Sequence, residues 1–78
     1  MRQILENLIV QWKIAVYEFE NSDDPVLKQG FFAVAYTTEL TLRHYGLRHD
    51  EDMGWHMVIS DVHDIPVPFE LLTDENFK

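Results

Sequence analysis

The chain has no cysteine, which excludes disulfides, thiolate metal sites and cysteine nucleophiles together. It also has no lysine or arginine between His49 and Phe77, where eight carboxylates stand: Asp50, Glu51, Asp52, Asp61, Asp64, Glu70, Asp74 and Glu75. Residues 1–48, by contrast, hold six acids and five bases, so the net charge of −8 belongs to the C-terminal part. A field of that sign repels phosphates and anionic lipid headgroups and attracts basic surfaces, so direct contact with nucleic acid or membrane is not expected. Glycine is scarce and scattered at Gly30, Gly46 and Gly54, which leaves no phosphate-cradling loop. No apolar run approaches the roughly 18 residues of a membrane span. The opening MRQILENLIVQWK lacks the cationic start, unbroken apolar stretch and small-residue cleavage site of a secretory signal. A cytoplasmic protein is expected.

What is present argues for a folded chain. Hydrophobic residues make up 46% and aromatics 13% of the 78, well above a disordered composition. One small domain of this length buries only about 60–65% of its unfolded surface, so its own core is marginal. With disulfides excluded, association with another chain or a His/Asp metal site is the remaining supplement.

From Arg2 to Glu20, Ile4, Leu5, Leu8, Ile9, Trp12, Ala15, Val16 and Phe19 recur at three-and-four spacing. On a helical wheel they fill an arc of about 140°, which predicts a helix over 2–20. Val10, Ile14 and Tyr17 form a second, narrower stripe on its other side. Asn21-Ser22-Asp23-Asp24-Pro25 punctuates the chain: Ser22 or Asp24 suits a helix N-cap and Pro25 a first turn. Leu27, Phe31, Val34, Ala35, Thr38, Leu42 and Tyr45 then predict a helix over 25–45. Gly46 is placed to end it in a left-handed conformation. The segment FFAVAYTTELTL is rich in β-formers, but the caps at both ends favour the helix. Phe32, Tyr36 and Leu40 add a second stripe here too. The short loop forces an antiparallel αα-hairpin.

Beyond an acidic loop at His49–Asp52, alternation predicts a strand over 54–62, with Trp55, Met57 and Ile59 on one face and His56, Val58 and Ser60 on the other. Residues 67–72 can pair back through a turn at His63–Pro66. Pro66 and Pro68 limit that segment to an edge strand. Residues 73–78 read as a frayed tail with Phe77 as an anchor. The fold class is α+β and mostly helical: a long antiparallel αα-hairpin followed by a short strand or β-hairpin.

All four histidines (His44, His49, His56, His63) fall between Arg43 and Asp64. Their spacings of five, seven and seven match no compact metal-ligand pattern, and strand parity sends His56 and His63 to opposite faces. The string Val58-Ile59-Ser60-Asp61-Val62-His63 resembles the opening Asp-x-His motif of the calcineurin-like metallophosphoesterases. That resemblance implies Asp61 and His63 as metal ligands. The family's later Gly-Asp, Asn-His and Gly-His-x-His elements are absent, so its two-metal site cannot be completed. Ser22 and Ser60 lack a nucleophile elbow. The expectation is no enzyme, no cofactor and no metal.

The segregated carboxylates, interleaved with Met53, Trp55, Met57, Phe69 and Phe77, carry the functional expectation. It is a non-enzymatic acidic module docking on a basic, nucleic-acid-binding surface of a partner protein. Asp50, Glu51, Asp52, Trp55, Asp61 and Asp64 are the expected contacts. In size and charge the chain resembles small inhibitors of phages and mobile elements, such as anti-restriction and anti-CRISPR proteins, and toxin-immunity proteins. The extra helical stripes predict a homodimer through Val10, Ile14, Tyr17, Phe32, Tyr36 and Leu40. The competing readings are a His/Asp metal-binding regulatory domain (His49, Asp50, His56, Asp61, His63) and an accessory subunit whose role is helix packing.

Overall fold

A computed structural model of the chain describes residues 1–59 and 65–77. Helix α1 spans Arg2–Asn21 and helix α2 spans Pro25–His44. They pack as a hairpin, followed by a three-stranded antiparallel sheet of β1 (Leu47–Asp50), β2 (Gly54–Ile59) and β3 (Ile65–Pro68) in the order β1-β2-β3. The fold is therefore α+β and mostly helical.

Local chemistry explains the helices. Asp24 caps α2, its Oδ1 accepting from the Val26 amide at 2.9 Å, with Pro25 in the first turn. The Gly46 amide donates to the Arg43 carbonyl, and Gly46 adopts φ +90°, which stops the helix where a β-carbon would be strained. Leu5, Ile9, Trp12, Val16 and Phe19 of α1 repeat at alternating four and three residues, as do Phe31, Ala35, Thr38, Leu42 and Tyr45 of α2. That is the seam spacing of two helices lying side by side.

The sheet departs from the alternation-based reading in two places. The segment read as an acidic loop is strand β1 and its turn. Arg48, His49 and Asp50 carry no β-propensity, and the strand exists because Leu47 is fully buried and its neighbours pair with β2 from Met57 to Gly54. The second segment pairs as Ile65–Pro68, not 67–72, and Phe69–Leu71 forms a 3-10 turn. As the prolines require, β3 is an edge strand. Residues 60–62 of the expected strand, and the first half of the expected turn (63–64), lie outside the described residues.

The tail expected to fray is docked. Asp74–Phe77 is a 3-10 turn, and Phe77, only 8% exposed, packs against Phe69 at 6.3 Å between ring centroids. Arg2 holds this segment against α1. Its Nε donates to the Leu72 carbonyl (2.7 Å), its Nη2 to the Phe69 carbonyl (3.3 Å), and its guanidinium lies 4.5 Å from the Phe69 ring centre.

The Arg2 backbone amide donates to Asp74 Oδ1 at 2.7 Å, and the Met1 amino group stands 3.4 Å from the same oxygen. That amide bond first, and then the amino group, hold the Asp74 carboxyl below its ordinary 3.8. A depressed folded pKa stabilises the protein above the unfolded value and loses that contribution as pH falls through the folded one. Asp74→Asn is therefore expected to flatten the acid limb of thermal stability between about pH 5 and about pH 2. Parallel limbs for mutant and wild type in differential scanning calorimetry would refute this.

The core gathers Leu5 and Ile9 of α1, Leu42 of α2, Leu47, Trp55, Phe69, Leu72 and Phe77. These lie at the end of the hairpin where α1 begins and α2 finishes. Between residues 13 and 37 only Ala15 is buried. The molecule measures 45 × 24 × 17 Å, a packed base with a two-helix arm.

Candidate functional site

Two surfaces stand out, one acidic and one apolar. The acidic one is the β1–β2 turn. Asp50 faces Gly54 across the ladder, the Asp52 amide donates to Asp50 Oδ1 at 2.7 Å, and Gly54 turns the chain with φ +71°. Asp50, Glu51 and Asp52 are all exposed, beside the half-exposed Met53. Three carboxylates thus share one tight turn with no cation paired to them among the described residues.

A three-ring cluster anchors that turn. His49 lies 4.6 Å from Trp12 and 5.3 Å from Trp55, and the two indoles meet edge-to-face at 5.1 Å. Trp55 was expected at the partner surface. It is instead 5% exposed and serves the core, because strand parity turns it inward with Met57 and Ile59. Its Nε1 has no hydrogen-bond acceptor among the described residues.

The apolar surface is a cleft of about 170 Å³ along one side of the arm. Trp12, Val16 and Phe19 form one wall, Phe32, Ala35 and Tyr36 the other, and Glu39 one end. Phe32 and Tyr36 stack nearly parallel at 6.0 Å and project from the rim. The six residues expected at one dimer face do not all line one groove. Phe32 and Tyr36 line this cleft, while Val10 and Ile14 line a shallow groove on α1 with Ile4, Asn7, Leu8 and Gln11. Tyr17 and Leu40 line neither, though all six are exposed.

The cleft's inner wall was read as core stripe. The sequence held no sign to the contrary, because what covers the stripe depends on the strands, which are only four to six residues long and reach only part of α1.

The histidines are dispersed. His44 meets Tyr45 edge-on, His49 packs at a tilt against Trp12, and His56 is buried with Nδ1 donating to the Gly54 carbonyl at 3.0 Å. Across the ladder His56 is flanked by Arg48 and Pro68. Among the described residues no three His, Asp or Glu side chains converge as a metal site. Asp61, His63 and Asp64 lie outside the described residues. No helix described is long and apolar enough to cross a membrane. Comparison with protein-family models, curated proteins and solved structures gives no match to this chain.

Proposed function

We propose that this chain is a non-enzymatic protein-binding module whose β1–β2 turn docks on a basic surface of a partner protein. The observation that carries this reading is the exposed Asp50-Glu51-Asp52 turn, held by its own Asp50–Asp52 hydrogen bond and fastened to the core through His49. A rigid turn presents its charges with little ordering cost on binding. The wider acidic C-terminal third of the chain adds long-range attraction for a basic partner. A protein surface that otherwise takes nucleic acid phosphates offers the matching lysines and arginines, so the module acts there as a competitor.

The test is affinity capture from the native host with wild type as bait, followed by direct titration of the recovered partner. Binding is expected to weaken steeply with salt. Asp50→Asn, Glu51→Gln and Asp52→Asn combined should lose about tenfold or more in affinity, at about 0.5–1 kcal/mol per charge contact. Glu6→Gln with Glu18→Gln should lose far less. Equal losses from the two sets would end the proposal.

A further inference from the structure

We propose that the arm's apolar cleft is closed by a second copy of this chain, packed antiparallel across a two-fold axis that passes α2 between Ala33 and Val34. This surface is separate from the acidic turn, and the inference does not rest on the docking reading above.

The first ground is that, among the described residues, no third layer covers the arm. Helices in water owe most of their stability to a covered apolar face. Here Phe32 is 56% exposed and Tyr36 is exposed beside it, on a hairpin half that buries only Ala15. The size of the cleft is the second ground. A cavity of about 150 Å³ holds one benzene ring, whereas sites for larger ligands run from about 300 Å³ upward. A cleft of about 170 Å³ therefore takes one aromatic side chain. The stacked Phe32–Tyr36 rim supplies such a ring from the same molecule, ready for the cleft of a neighbour.

The third ground selects a second copy over an unrelated helix. Along the cleft side of α2 run Asp24 at the cap, Lys28, Phe32, Ala35, Glu39 and Arg43, at spacings of four, four, three, four and four residues. That order is palindromic in complement. Antiparallel stacking about the stated axis sets Phe32 over Ala35, a large side chain on a small one. The same register sets Lys28 against Glu39 and Asp24 against Arg43, acid on base each time. One register thus satisfies both shape and charge, twice over by symmetry. Within one copy three of these charges are loosely held: Glu39 and Arg43 are 3.9 Å apart, and Lys28 lies 5.0 Å from the Phe19 ring centre, while Asp24 caps α2 through one oxygen and keeps the other for Arg43 of the second copy.

Sedimentation equilibrium on the full chain, from about 1 to about 100 µM, reads the result. Wild type is expected at twice 9.3 kDa. Lys28→Glu alone and Glu39→Lys alone should each raise the dimer Kd about tenfold, because each puts two like-charge pairs in the interface. The two changes combined should restore it to within about threefold of wild type. Phe32→Glu should give monomer with helical circular dichroism retained. Only 9.3 kDa species in wild type would overturn the proposal. A dimer indifferent to the single charge reversals, or one not rescued by the pair, would also overturn it.

Discussion

Phe77→Ala is expected to remove about 3–5 kcal/mol of stability, although Phe77 stands one residue from the end of the sequence. The ring is 92% removed from solvent contact by the measure that leaves it 8% exposed. It packs on Phe69, which in turn lies beneath the Arg2 guanidinium. Truncating it empties a space bounded by Phe69 and the other core residues, and the segment's polar links to α1 do not refill it. A chain of this length has a total stability of about 4–12 kcal/mol. The variant is therefore expected to be largely unfolded at 37 °C or to melt roughly 12–40 °C lower. Urea denaturation followed by tryptophan fluorescence measures it. A change below about 0.5 kcal/mol, the size typical of surface substitutions, would show that the tail does not dock.

Leu42→Ala is the second large effect, expected at about 2–5 kcal/mol. Leu42 is 0% exposed and belongs to the one core cluster that joins both helices to the sheet. Its loss therefore weakens the hairpin and the hairpin–sheet contact together. The matched control is Leu40→Ala, two residues away at 46% exposure and outside the cleft, expected within about 0.5 kcal/mol of wild type. Comparable losses at the two sites in thermal unfolding would contradict the placement of the core. Loss at Leu42 with an unchanged dimer Kd in Leu40→Ala would fit both the core and the proposed two-fold contact.

The helices were readable from residues alone because their determinants are local. Three-and-four apolar spacing, the Asp24-Pro25 start and the Gly46 stop act within a few residues, and the observed ends shift by one residue at Asn21 and at His44. That Trp55, Met57 and Ile59 share a face follows from strand parity in the same way, but which face turns inward does not, and Trp55 was expected outside. The charge division at residue 48 needs no structure at all.

Tertiary structure decided the rest. Strand β1 is Arg-His-Asp beyond its one buried leucine, and nothing in that composition announces a strand. Its backbone is extended because β2 offers a ladder and because Trp12, 37 positions earlier, offers His49 a ring to pack against. The tail docks through bonds to Arg2 spanning 67 to 72 residues, a separation no local pattern encodes. Which apolar stripe is covered was also beyond the sequence. Spacing gives the stripes of α1 and α2, but the short sheet covers only the base of the hairpin and leaves the arm open. Local rules set what each segment can become. Contacts between distant segments chose which surfaces remain for a partner, since only they determine what is already buried.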